Sequence, residues 1–549
     1  MPDWTYHPLR PAANVLLGER RAQRFALRFL SALVAVPGGG YAIKRVFDHP
    51  EPPVEWQDRL GAVVPVSVAR DAIRVLPVQG ARVIEVGPVG PDAVAAVRAA
   101  AMGRRCPVIA RATDPATAAA LDGSVDAVFV EPSAGIDNAG FGSGSAAALE
   151  GNADAATAEP AVDIELGSGG SQETVNLAAA GSPTRRYLRD PDIAETLAAL
   201  RNSDALVLAR PSVLVEAGPG WFQRVIEAAL STQPPPQTLR DVPIDPRRWP
   251  GWFWGLLVGA GMIVAGLGAT AITLGPVLLW YDRDYLGTDV DGLHAINHHL
   301  VHFLQHDRIT MAGNMIAIGC LYAGLSWGGI RMGREWARNA LLASGLIGFP
   351  TLFYFLVIGF VEPLHVTAAV VLFPMWVLAV ARRPGPPRWT TPPPCPEPIR
   401  RRALVGQLLI VAMGIGVMIG GIVISCVGLT YVFVPTDLAF LRTDADTLRA
   451  ANEHLLPFIA HDRAGFGGAL ISTGAAILLL ALWGWRQGEA WVWWTLLAAA
   501  FAGSASALII HFFIHYTAFV HLLPVYFGTV VILLGLGLAR SYLLEGPRL

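Results

Sequence analysis

Hydrophobic and polar positions divide the chain into two stretches with different rhythms. Between residues 53 and 231, short β-rich apolar runs (62–66, 82–86, 108–111, 126–130 and 204–208) alternate with alanine-rich stretches such as 92–102 and 191–200. Strands followed by helices in this order predict an α/β domain built on a mostly parallel sheet. Residues 133–182, rich in Gly, Ala and Ser, are expected to be a low-complexity insertion. Residues 6–36 set Leu16, Leu17, Phe25, Leu27, Phe29, Leu30 and Leu33 against Arg20, Arg21, Arg24 and Arg28. That pattern fits amphipathic helices lying on a bilayer or packed on their own domain, and the first apolar stretch lacks a signal-peptide cleavage site.

After Trp249 the alternation gives way to eight apolar runs, at 252–280, 309–330, 337–361, 366–381, 403–433, 464–485, 491–513 and 522–538. Most reach the ~20 residues that cross a hydrocarbon core. Trp249, Trp252, Trp254, Trp280, Trp485, Trp491, Trp493 and Trp494 stand near their ends, where interfacial aromatics belong. Proline and arginine fill the joint around 383–402, so the bundle is expected to hold two tandem four-span repeats in one orientation.

A polar pattern marks the repeat. Thr288-Asp289, Asp291, Leu293, Ala295, Asn297, His299-Leu300, Phe303 and His306-Asp307-Arg308 return 155 residues later without a gap. The second copy reads Thr443-Asp444, Asp446, Leu448, Ala450, Asn452, His454-Leu455, Phe458 and His461-Asp462-Arg463. Ionisable groups retained twice at the edge of an apolar run mark a place to look for function.

Composition supports a membrane protein: mean hydropathy is +0.45 and only 15% of residues are charged. The net charge of −2 gives no basic footprint for nucleic acid, and Cys106, Cys320, Cys395 and Cys426 have neither disulfide nor zinc-knuckle spacing. Loops on one side carry Arg331, Arg334, Arg338, Arg382, Arg383, Arg388, Arg400, Arg401, Arg402 and Arg486; the other side carries Arg283, Arg308, Arg442, Arg449 and Arg463. This bias predicts a multi-pass protein of the cell membrane with the α/β domain and both termini cytoplasmic and the duplicated motif facing outward.

The first 230 residues resemble a shortened class 2, quinone-using dihydroorotate dehydrogenase. The resemblance rests on the entry segment from Tyr6-His7-Pro8-Leu9 to Pro37-Gly38-Gly39, on Pro65-Val66-Ser67-Val68-Ala69-Arg70-Asp71 and on Gly80-Ala81-Arg82-Val83-Ile84-Glu85-Val86-Gly87. Pro107-Val108-Ile109-Ala110-Arg111 and Val215-Glu216-Ala217-Gly218-Pro219-Gly220 complete it. It implies a TIM-type barrel, shortened here, with the bilayer and a quinone as partners. The departures fall on the chemistry. Asp71-Ala72-Ile73 replaces Asp-Lys-Asn, Arg111 stands where the flavin-contacting lysine is expected, and the loop bearing the serine base has no counterpart. Tyr187-Leu188-Arg189-Asp190-Pro191 replaces the glycine-rich phosphate cradle, where side chains would crowd a phosphate. FMN and catalysis are therefore not expected, and no catalytic residue is assigned.

The segments read as follows: 1–48 amphipathic helices, 49–232 α/β domain, 233–250 linker, 251–382 first membrane repeat, 383–402 joint, 403–541 second repeat and 542–549 tail. Eleven of the 13 histidines lie in the membrane half. Candidate ligands for a metal ion, a haem or another molecule are His299, His306, Asp307, Arg308, His365, His454, His461, Asp462, Arg463, His511, His515 and His521. His511 and His515 have i, i+4 spacing on one face of the seventh span, whereas His299/His306 and His454/His461 are seven apart, about 10.5 Å along a helix. In the structural alternative, Asp307 and Asp462 cap the entering helices, the arginines snorkel, and the histidines hydrogen-bond between repeats. Two function classes follow: a membrane protein whose outward His/Asp/Arg cluster binds a ligand above a non-catalytic barrel remnant, or a quinone-coupled flavin oxidoreductase with an altered site. No protein partner is indicated.

Overall fold

The computed structural model describes residues 3–46, 53–56, 58–130, 172–175, 184–202, 204–230, 235–352, 362–388 and 395–545. These form two compact units, Glu19–Lys44 with His49–Ile226, and Met1–Gly18 with Arg45–Asp48 and Glu227–Leu549. The expected insertion at 133–182 lies outside the described residues except for one strand at 172–175.

The first helices are α1 (Asp3–Leu17), α2 (Glu19–Ala35) and α3 (Gly39–Val46). The smaller unit carries a half-barrel of seven strands, β1 (Leu60–Val64), β2 (Val83–Val89), β3 (Val108–Ala112), β4 (Ala127–Val130), β5 (Gln172–Val175), β6 (Arg185–Leu188) and β7 (Leu206–Ala209), in the order β4-β3-β2-β1-β7-β6-β5. All neighbours are parallel except β5 and β6. Helices α4 (Ala69–Gln79), α5 (Val94–Ala101), α6 (Pro115–Leu121), α7 (Ile193–Asn202), α8 (Pro211–Ala217) and α9 (Trp221–Ala229) follow strands in the βα manner that buries both faces of a parallel sheet.

The inner face carries Val63, Val83, Ile109, Leu206 and Leu208, and among them a charged cluster. Glu85, fully buried on β2, lies 3.4 Å from Arg111 Nε and 3.5 Å from Arg185 Nε, and accepts a hydrogen bond from Tyr187 Oη at 3.1 Å. Arg185 also sits 3.2 Å over the Phe129 ring. Contacts from β6 to β2 and β4, which are not its neighbours, require the sheet to curl.

Among the described residues of the larger unit, seven helices are long and apolar enough to cross a membrane. They are α10 (Gly251–Leu274), α13 (Leu300–Gly324, continued as one span to Met332), α15 (Pro363–Ala381), α16 (Glu397–Leu429), α19 (Leu455–Trp483), α20 (Ala490–Phe513) and α21 (Phe519–Leu544). The shorter α14 (Glu335–Leu352) begins the run expected at 337–361, whose remainder at 353–361 lies outside the described residues. Short helices α11 (Trp280–Leu286) and α12 (Val290–Ile296) precede α13; α17 (Pro435–Leu441) and α18 (Ala445–Ala451) precede α19, each with both bounds 155 residues after its counterpart.

The motif-bearing helices lie at the centre. In α13 and α19, 61% and 56% of the apolar window is buried, against 22–33% for the other five spans. Glycine lets each approach a neighbour closely. A Cβ on Gly319 would fall 2.7 Å from Gly259 O, and one on Gly474 would fall 2.7 Å from Gly414 O. Near the other end, Arg334 donates to Glu489, the residue 155 positions further on. Helix α1 packs on α16, where Arg400 lies 2.8 Å from Asp3 Oδ2 and 3.0 Å from His7 Nε2.

Candidate metal centre

The duplicated segments build a lattice of buried charge in which each copy completes the other. Arg308 donates from Nε to Asp462 Oδ2 at 3.0 Å and from Nη1 to Val277 O at 2.8 Å, and its Nη1 lies 3.4 Å from Asp282 Oδ2. Arg463 donates from Nε to Asp307 Oδ2 at 3.0 Å, and from Nη1 to Val432 O and Asp437 Oδ2, both at 2.6 Å. Each guanidinium also faces an aromatic ring of the other copy, Arg308 with Phe458 at 5.0 Å and Arg463 with Phe303 at 4.8 Å. Asn297 donates to Leu441 O and Asn452 to Leu286 O, each at 2.8 Å.

The backbone is bent to make these contacts. Val277 and Val432 hold φ of 59° and 65°, a left-handed conformation that β-branched residues rarely adopt. In both cases the strained residue offers its carbonyl to the arginine 31 positions later.

Two clusters of donors flank the lattice. Donor atoms of His306, His511 and His521 lie within 4.8 Å of one another, and so do those of Glu362, His365 and His461. Each cluster joins the motif histidine of one copy to residues of the other copy's half: His511 in the last turn of α20 and His521 at the start of α21 in the first, Glu362 and His365 at the start of α15 in the second. The first has its ring nitrogens arranged for a cation. His511 Nδ1 lies 2.6 Å from Ala507 O, so Nδ1 carries the proton and the buried Nε2, which has no hydrogen-bond partner, keeps its lone pair. Tyr516 donates to Asp437 Oδ1 at 2.8 Å, so its oxygen is left to accept from His521 Nδ1 at 3.2 Å. His306 Nδ1 stands 3.0 Å from Asp307 Oδ1, at an angle too poor for a hydrogen bond. In His511 the Nδ1 proton is held by a carbonyl and Nε2 is left to ligate, the arrangement that outer-shell partners impose on metal-binding imidazoles; the Nδ1 edges of His521 and His306 also face oxygens.

The second cluster is built differently. His461 donates from Nδ1 to Asp462 Oδ1 at 3.2 Å. His365 Nδ1 and Glu362 Oε2 are paired at 2.6 Å, and Tyr281 donates to Glu362 Oε1 at 3.2 Å. An ion here would take Glu362 Oε2 from His365. Burial opposes ionisation of Glu362, which precedes the span beginning at Pro363, but His365 and Arg308 outweigh it and hold the carboxyl at about 2.

Several expectations are corrected. Asp307 and Asp462 do not cap helices, because α13 and α19 start at Leu300 and Leu455, and both aspartates lie about two turns further in. The caps in this region are Asp289 and Asp444, which accept from Gly292 N and Thr447 N and begin the short helices α12 and α18. Arg308 and Arg463 do not snorkel; both are buried by their carboxylate partners. His511 and His515 do not share a helix face, since α20 ends at Phe513 and His515 turns out, exposed, at a φ of 61°. His299 and His454 stay outside both clusters, packed on Phe440 at 5.2 Å and Tyr285 at 5.0 Å. His306 and His511 meet edge to face at 4.3 Å, leaving no room for a haem between them. Glu362, Tyr516, Asp282 and Asp437 join the site beyond the residues expected from the sequence. The two aspartates carry a signal, being identical at the same 155-residue offset.

Comparison with known protein families, with curated proteins and with solved structures finds no match to this chain.

Proposed function

We propose that this chain is a multi-pass membrane metalloprotein with two divalent transition-metal sites, His306/His511/His521 and Glu362/His365/His461. The observation that carries the reading is the convergence of three imidazoles whose Nδ1 edges face oxygens. Charge supports it. Buried Asp282, Asp307, Asp437 and Asp462 outnumber Arg308 and Arg463, and a cation at each cluster would offset the excess. Three histidines, or two with one carboxylate, are donor sets that hold zinc-like ions and leave a coordination position open.

In this reading the bundle consists of eight spans in two tandem four-span repeats; the 155-residue offset of the lattice contacts supports that division. The arginine bias supports cytoplasmic termini and an outward motif in the cell membrane. The N-terminal unit is a scaffold of dihydroorotate-dehydrogenase type that has lost catalysis. Its inner face is filled by Glu85, Arg111, Arg185 and Tyr187.

The test is elemental analysis of full-length protein purified in detergent, with its visible spectrum. Two buried ions per chain are expected, with one lost in His306→Ala and one in His461→Ala. Unchanged content in both variants defeats the assignment. A flavin band would instead favour the quinone-coupled oxidoreductase.

A further inference from the structure

The first copy of the motif carries histidines that the second lacks. His294, His298, His302 and His306 follow one another at intervals of four, from the last turn of α12 into α13. The matching positions in the second copy are Arg449, Glu453, Pro457 and His461. The charge lattice, the strained valines and the asparagine bridges recur in both copies, so His294, His298 and His302 are not needed to build them.

Their geometry is that of a cluster. Ring centroids are 5.7 Å apart for His294 and His298, 6.4 Å for His298 and His302, and 6.2 Å for His294 and His302. The three rings form a nearly equilateral triangle although the helix breaks between them at Asn297, whose backbone is extended. His302 Nδ1 lies 3.2 Å from Gln305 Oε1, and Gln305 donates its amide to Thr273 O. Gln305 Oε1 therefore accepts from His302, whose Nε2 is left to ligate. His294 Nδ1 is buried and makes no hydrogen bond. His294 is half-buried, and from exposed His298 through half-buried His302 to buried His306 the series descends from solvent into the bundle.

We infer that His294, His298 and His302 form a third metal site, on the rim of the bundle, which captures a hydrated divalent transition-metal ion and passes it to the His306 cluster. Neutral imidazole is the ligand such ions prefer, and rotation of the exposed His298 and the half-buried His294 and His302 rings would bring their nitrogens onto one ion. Rings whose centroids lie 5.7–6.4 Å apart can be joined by one ion about 2 Å from each ligand nitrogen. His302 stands one turn before His306, about 6 Å along the axis, so transfer is a single short step. The second copy, with Arg449, Glu453 and Pro457, has no such station. Capture stands on the rim geometry alone; the transfer step rests on the proposed buried site.

The test uses full-length protein in detergent, stripped with a chelator, reloaded with Zn²⁺ and then exposed to a chromogenic chelator while release is followed in time. Wild type is expected to release one equivalent in a fast phase, ahead of the buried ions. His298→Ala/His302→Ala should lose the fast phase and reload the His306 cluster more slowly, with the slow equivalents unchanged at equilibrium. His306→Ala should keep the fast phase and lose a slow equivalent. A fast phase that persists in the double variant overturns the rim site, and unchanged reloading overturns the transfer step. A wild type that shows only the fast phase would count against the buried sites and leave the rim site standing. Should the double variant lose its monodisperse elution, His298→Gln, at the exposed corner of the triangle, carries the same readout.

Discussion

Arg308 and Asp462 are joined at 3.0 Å inside the bundle although 154 residues separate them in sequence. The reciprocal bond, Arg463 to Asp307, has the same length. Neither arginine meets the aspartate beside it; each is held within its own copy by Asp282 or Asp437, and its second carboxylate comes only from the other copy.

Removing one partner from such a pair leaves a charge buried without compensation. Asp462→Ala is expected to cost about 3–5 kcal/mol, seen as a large fall in thermal midpoint in detergent. Asp462→Leu with Arg308→Met should cost distinctly less than the sum of the single changes. Additive losses would mean the bond contributes little.

Metal retention should depend on pH with a defined sign. Imidazole binds metal only when neutral and metal binding releases protons, so acid displaces the ion. Metal content followed on acidification from about pH 8 should fall, and return on neutralisation, in wild type and in the variants that keep one site. Content that acid does not change would contradict ligation by histidine.

Arg442 ends α17 at a φ of 53°, where the first copy has Gly287 at 63°. Glycine adopts this conformation without strain. Arg442→Gly should raise stability by about 1 kcal/mol, and Gly287→Arg should lower it by a similar amount. A thermal shift of the opposite sign in either variant would show that arginine makes a compensating contact.

Gly319→Val would place a side chain against Gly259 O, where a Cβ already falls at 2.7 Å. The expected loss is about 1–3 kcal/mol, with α10 pushed off α13. An unchanged thermal midpoint would imply that the two helices already have slack at this crossing.

Part of this was legible in the sequence. Strands β1 to β4 and β7 follow the apolar runs because a parallel sheet buried on both faces must be apolar throughout. Strand β6 was hidden because it turns Arg185 and Tyr187 inward, and charged residues do not read as a core strand. The motif located His306 and His461, but not the other ligands of each cluster, which come from spans more than 90 residues away or across the copies. His515 was misread because the i, i+4 rule assumes an unbroken helix, and α20 stops two residues earlier. Asp307 and Asp462 looked like caps because the polar-to-apolar boundary falls beside them, whereas the helices begin seven residues earlier, in the polar segment.

Arg334 and Glu489 occupy the same place in the two halves, yet they touch each other. A position that meets its own counterpart lies on the axis of near-symmetry. In a pair of identical single-copy chains, that position would confront itself, arginine against arginine or glutamate against glutamate, with like charges forced together. An oppositely charged pair can form there only when the two copies differ. Covalent linkage in one chain makes that difference heritable, and it favours pairing between the halves of one molecule over the assembly of two copies of either half.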